Sequence, residues 1–233
     1  MDKFGYIAIA LLMLPLWSII YIRSKRLRVR MRNTGIYVGL LAIATEPLFL
    51  ADYWSPPPLF EIAGFYAVED FIYSFISTGI AISIYNFIFD VSYQTDYKKR
   101  KKTMVILAIG ILASFLISNL LLGYNTVFSI SYTALVATLI MTFIRKDLFF
   151  PALFTGTVVV VILAIIYIII FNFFLTSYWQ EYWKMVGTPY EYFIFGIPWT
   201  EYLWYFSSSS FIAIVYDFAS GTAKKPNTFQ KKR

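Results

Sequence analysis

From Leu148 to Leu175 the chain runs without one charged residue, and about 20 consecutive apolar residues are enough to cross the hydrocarbon of a bilayer. Six more apolar runs share that character, so the sequence predicts seven spans, at roughly 4–22, 34–51, 67–89, 103–122, 128–144, 148–175 and 198–218. With 59% hydrophobic and only 14% charged residues, one water-facing core could not hide this apolar surface, and the bilayer becomes its solvent. The expected fold class is all-α, a polytopic, multi-pass protein of the cell membrane. The surplus length of the sixth run is taken up by tilt.

The linkers alternate in charge. Arg23, Lys25, Arg26, Arg28, Arg30 and Arg32 follow the first run, Lys98, Lys99, Arg100, Lys101 and Lys102 the third, and Arg145 and Lys146 the fifth. Lys224, Lys225, Lys231, Lys232 and Arg233 follow the seventh, which leaves only Lys3 and Lys184 on the opposite side. The positive-inside rule then places the amino terminus outside and the carboxyl terminus in the cytoplasm, as an odd number of spans requires. The net charge of +7 is read as this topology signal and not as a nucleic-acid footprint. The first run is long, with its stronger basic cluster behind it, and is expected to stay as an anchor and not to be cleaved as a signal peptide. The basic tail, residues 222–233, suits contact with anionic membrane lipid. Absence of cysteine and histidine excludes disulfides, thiol nucleophiles, imidazole bases and the usual zinc and haem ligands. Carboxylates, tyrosines and aromatic faces must carry any chemistry, and no cofactor is expected.

Two stretches are diverged copies. Ala67 to Phe87 and Pro198 to Phe218 align without a gap, pairing Asp70 with Glu201, Phe75 with Phe206, Ser77 with Ser208, Tyr85 with Tyr216 and Phe87 with Phe218. Asp52-Tyr53-Trp54 is echoed by Ser177-Tyr178-Trp179. Spans 1–3 and 5–7 therefore read as two three-helix repeats, residues 1–102 and 128–221, joined by a linker helix within 103–127. A single connecting span makes the repeats parallel. Ser77, Thr78 and Gly79, matched by Ser208, Ser209 and Ser210, would let the third and seventh helices approach closely. Tyr53-Trp54, Tyr178-Trp179 and Trp183 are expected in the interfacial aromatic belt.

Each copy opens with an acid. At 3.6 residues per turn Asp70, Tyr73 and Ser77 share one stripe, and Glu201, Trp204 and Ser208 share its counterpart. Glu69 precedes Asp70, and Glu46 lies in the outer part of the second run. Acids at such depth must be paired, hydrated or protonated. Helix capping alone would account for Glu69, Asp70 and Glu201, but not for Glu46. Asp90, Asp96, Asp147 and Asp217, beside basic clusters, are expected in surface ion pairs.

The repeat, together with the starts Glu69-Asp70-Phe71 and Pro198-Trp199-Thr200-Glu201-Tyr202, resembles the lycopene cyclase domain family of the heterodimeric or fused type, over nearly the whole chain. Ala67 stands where that family usually has proline, and Thr200 replaces the first acid of the second doublet. The resemblance implies isomerisation of a linear carotene: a carboxylic acid protonates a terminal double bond, the cation closes into a ring, and a base removes a neighbouring proton. Asp70 and Glu201 would serve as acid or base and Glu69 and Glu46 would tune them, with Tyr73, Phe75, Trp204 and Phe206 lining a hydrophobic slot. The implied partner is a carotenoid or other hydrophobic isoprenoid, with membrane lipid around it and a homo-oligomer left open.

Three alternatives stand beside this reading: a small transporter with parallel repeats, a non-catalytic carotenoid-binding or assembly protein, and a hydratase that quenches the same cation with water. A retinal photoreceptor fails, because no predicted span holds a lysine.

Overall fold

The computed structural model describes residues 2–59, 61–62, 66–91, 93–95 and 101–224. The protein is all-α and 80% helical. Its helices are α1 (Gly5–Arg23), α2 (Arg28–Asp52), α3 (Val68–Ala81), α4 (Ile84–Ile88), α5 (Lys101–Leu116), α6 (Thr126–Ile144), α7 (Phe149–Phe173), α8 (Tyr178–Tyr182) and α9 (Trp199–Ser220). Among the described residues, five helical segments are long and apolar enough to cross a membrane. They contain α1, α2, α5 with its π-helical extension Ile117–Leu121, α6 and α7.

The short strands serve as fasteners. β1 (Glu61–Ile62) pairs with β2 (Tyr66–Ala67) just before α3, and β4 (Phe193–Ile194) pairs with β5 (Ile197–Pro198) just before α9. Phe195 and Gly196, at φ 52° and 77°, turn the second hairpin, the left-handed conformation that two-residue hairpin loops require. At the other end β3 (Tyr93–Thr95) pairs with β6 (Thr222–Lys224).

The helices pack in two similar groups. α3 lies along α1 and α2, α9 lies along α6 and α7, and α3 touches α9 between the groups. Both groups open with a 19-residue helix, a three-residue 3-10 turn and a 25-residue helix. α5 leans chiefly on α6 and turns Ile106, Ile109, Leu112, Leu120 and Leu121 outward.

The structure revises two expectations. The run 67–89 is not one helix: α3 stops at Ala81 and α4 begins at Ile84. Ser83 causes the break, its hydroxyl donating to the Gly79 carbonyl at 2.5 Å while its amide bonds to Ile80, one residue short of helical register. The aromatic pairs do not form an interfacial belt. Tyr53, Trp54, Tyr178, Trp179 and Trp183 are each at most 6% exposed and form part of the main hydrophobic core, with Trp54 stacked on Trp179 at 5.8 Å and bridged by backbone to Trp183. Packing rings against one another buries more apolar area than laying them along headgroups. Two of the small residues of α3 and α9, Gly79 and Ser210, meet other helices. Gly79 receives the Trp17 indole of α1, and Ser210 sits against Gly156 of α7.

Of the predicted surface ion pairs, Asp90 is bound to Arg26 at 2.5 Å and 81% exposed, and exposed Asp147 is bound to Arg145. Asp217 is a correction. It is buried and meets buried Arg30 at 2.8 Å, because α9 carries it inward beneath α2, where a lone charge would be expensive. Arg145 is buried too, donating to the carbonyls of Asp217 and Thr222 while it holds the exposed Asp147. Asp96, Lys98, Lys99, Arg100, Lys225, Lys231, Lys232 and Arg233 lie outside the described residues.

Candidate functional site

Three helices bring carboxyl groups into one end of the bundle. Asp70 and Glu69 stand in the first turn of α3, Glu201 stands in the first turn of α9, and Glu46 comes from the last third of α2. The two hairpins fix both helix starts, and a carboxylate suits the positive end of a helix. Glu46, Glu69 and Glu201 are buried and Asp70 is largely so.

The Asp70 carboxyl lies beside the carboxyl of Glu46 and the Tyr6 hydroxyl of α1. Glu69 is placed differently: its Oε1 accepts the amide of Leu59 and so anchors the connection behind α2. It adds negative charge beside Asp70 while serving as a structural tie.

Glu201 has a separate set of partners. It accepts from the Tyr53 hydroxyl, which is also 2.9 Å from Thr200 Oγ1, and Tyr167 and Tyr205 line the same cavity beside it. Tyr205 in turn bonds to Tyr73 of α3 and to Tyr167 of α7. Tyr205 is therefore the hub through which α3, α7 and α9 meet. The Glu201 group and the Asp70 group come together where the rings of Tyr6 and Tyr73 stack, with centroids 4.7 Å apart. Trp204 lies over Phe49 and beside Tyr205, each at 5.2 Å, forming an aromatic wall next to Glu201.

The acids correspond in position. Glu46 is 18 residues beyond the first residue of α2, Arg28, and Tyr167 is 18 beyond the first of α7, Phe149. Each contacts the acid that opens the helix alongside, Asp70 or Glu201. One group uses a second carboxyl where the other uses a phenol.

Glu46, Asp70, Glu201, Tyr73 and Trp204 lie together at this end of the bundle, with Glu69 at the margin. Phe75 and Phe206 are not part of the site. They cover Gly35 of α2 and Gly156 of α7 and act as helix-packing residues, since their positions on α3 and α9 turn them toward α2 and α7. Tyr6, Tyr167 and Tyr205 were not singled out from sequence, and Tyr53 only for the aromatic belt. The available signal was a lone phenol inside an apolar run, clearest for Tyr167 between Leu148 and Leu175.

Among the described residues no group of three or more acids is arranged to hold a metal ion. Beside Glu201, between α7 and α9, lies a cavity of about 10 Å³, the scale of one water molecule. The assembly can hold and pass protons under an aromatic roof, from carboxyls that different helix groups supply. No protein-family model, curated protein or solved structure matches the chain.

Proposed function

We propose that the chain is a seven-span membrane protein of two parallel three-helix repeats, with α5 as linker, and that it cyclises the end groups of a linear carotene as the lycopene cyclase domain does. α3 with α4, and α9, complete the seven. The repeat is supported by the matching lengths of α1–α2 and α6–α7, the hairpins that start α3 and α9, and the recurrence of Thr-Gly at Thr34-Gly35 and Thr155-Gly156. Each of those glycines is covered by the aligned phenylalanine, Phe75 or Phe206.

The observation that carries the catalytic reading is that one acid from each repeat, Asp70 and Glu201, enters one buried assembly of carboxyls and phenols. In the proposed reaction one carboxylic acid of this pair gives its proton to a terminal double bond. The resulting cation is attacked by a neighbouring double bond, forming the ring C–C bond. A carboxylate takes a proton from the carbon next to the new cation, leaving a ring double bond, so substrate and product are isomers. The faces of Trp204, Phe49 and Tyr205 favour a passing cation. Tyr53 holds Glu201 in place, and the surrounding rings keep water from quenching the cation.

Expression in a lycopene-accumulating bacterium, with chromatographic identification of the pigments, tests this. Wild type converts lycopene to a cyclic product, whereas Glu201→Gln and Asp70→Asn stop conversion and still yield folded protein in membranes. Full cyclisation by the double amide variant would remove the mechanism.

A proton-coupled carrier is the second reading, favoured by the buried Arg30–Asp217 pair. It joins α2 to α9 at the basic end, the kind of contact that rocking repeats break and remake. Substrate uptake into vesicles without any pigment conversion would select it.

A further inference from the structure

The cavity beside Glu201 has a directional lining. Val160, Leu163, Ala164 and Tyr167 come from α7, Ile197 from β5, and Glu201, Tyr202 and Tyr205 from α9. Glu201, Tyr167 and Tyr205 are buried at its floor, and Leu163 and Ile197 are buried in its walls. Val160, Ala164 and Tyr202 are only half-buried, and next to them Val161 and Ile165 turn outward, 51% and 55% exposed. On a helix that crosses a bilayer, that outward face lies against lipid. The cavity is therefore a crevice that leads from the lipid-facing side of the α7–α9 seam to the carboxyl of Glu201.

We infer that this crevice is the slot through which the terminal isoprene unit of a long neutral hydrocarbon reaches Glu201 directly from the bilayer, with Tyr202 as its gate. This rests on the cyclase reading and places the substrate in the seam between α7 and α9, away from Phe75, which faces α2. The occupant follows from the lining. Four aliphatic side chains form the walls, no lysine or arginine lines them, and the only polar groups are a carboxyl and phenol hydroxyls. A phosphate headgroup would meet a carboxyl with no counter-charge, whereas a hydrocarbon end meets apolar walls and a proton donor. At about 10 Å³ the crevice is shut to a branched hydrocarbon end. The Tyr202 hydroxyl donates to the Ile194 carbonyl of β4 at 2.9 Å, so swinging that ring outward breaks one hydrogen bond and widens the mouth without moving a helix.

Because the chain has no cysteine, single cysteines report on the slot without background. In proteoliposomes, Ala164→Cys and Val160→Cys are exposed to a lipid-soluble maleimide with and without lycopene, and Ile165→Cys serves as the neighbouring lipid-facing control. The expected result is that lycopene slows modification at 164 and 160 several-fold and leaves 165 unchanged. Tyr202→Ala should raise the unprotected rate at 164. In the lycopene-accumulating strain, Ala164→Trp should reduce conversion while Ile165→Trp does not. Equal rates at 164 and 160 with and without lycopene, or equal slowing at 165, overturn the slot. Protection without any conversion by wild type would keep the slot and remove the cyclase. Conversion that Ala164→Trp leaves untouched would remove the slot and keep the cyclase.

Discussion

A single hydrogen atom in place of a side chain sets how closely α2 approaches α3 and α7 approaches α9. A β-carbon on Gly35 would stand 2.8 Å from Phe75 Cδ2 and 3.0 Å from the Phe75 carbonyl oxygen, and on Gly156 it would stand 3.0 Å from the same two atoms of Phe206. The rings could turn aside, but the carbonyls belong to helices and could not. Gly35→Leu and Gly156→Leu should therefore each cost about 1–3 kcal/mol of stability, the usual range for overpacking, measured by denaturant titration in detergent micelles. Gly110 of α5 is the control, because nothing lies within 4 Å of its added β-carbon. Replacing a helical glycine there should be neutral or stabilising by up to ~1 kcal/mol. At this scale Asp70, Glu201 and Glu46 were legible because an acid at that depth must be paired, hydrated or protonated. The tyrosines were not, since with 19 of them in the chain a phenol fits a core, an interface or a site equally well. Only tertiary contact singles out Tyr205 as the hub.

Among elements, α9 differs from the other long helices in carrying an acid near each end. Glu201 meets hydroxyls and Asp217 meets a guanidinium. Arg30 lies over the Tyr216 ring at 4.2 Å as well as against Asp217, and the Thr222 hydroxyl donates to Asp217 at 2.5 Å. Removing one member of a buried pair leaves the other uncompensated, typically at about 3–5 kcal/mol, while replacing both by apolar groups is often neutral. Asp217→Leu alone should thus destabilise the protein in micelles more than the double variant Arg30→Met with Asp217→Leu, and a double variant as damaged as the single would show that the charges are not coupled. The sequence placed Asp217 at the surface because it lies next to a basic cluster, and periodicity within one helix does not reveal which helix crosses above. The break in the third run escaped notice for a related reason: with no glycine or proline at 82–83, only the back-bonding of the Ser83 hydroxyl marks it.

Across the whole molecule, the five most apolar segments and their charged connections were legible from composition and run length, because hydrocarbon thickness fixes both. α3, α4 and α9 are the parts that length and hydropathy leave open, and they are the elements that carry the acids, since a helix holding carboxyls and serines for a site must give up apolar residues. The fold nevertheless orders the molecule end to end. Asp2 receives a hydrogen bond from Tyr182 at one pole, and Arg30 and Arg145 converge on Asp217 at the other. If the basic pole faces the cytoplasm, as the positive-inside rule requires, the acids sit near the outer face. α3 with α4, and α9, must then span. Exposed Lys3, Ser55, Gln180 and Tyr192 would lie outside, and Lys25, Lys102, Lys146 and Lys224 inside. Single cysteines at these positions should divide cleanly: a membrane-impermeant maleimide labels the first four on intact cells and the second four only after permeabilisation. Inverted labelling would reverse the orientation. Labelling at 55 and 102 from one side would deny α3 and α4 a crossing, as labelling at 192 and 224 from one side would deny it to α9. Either result would reduce the seven spans and break the two-repeat plan on which a shared site for Asp70 and Glu201 depends.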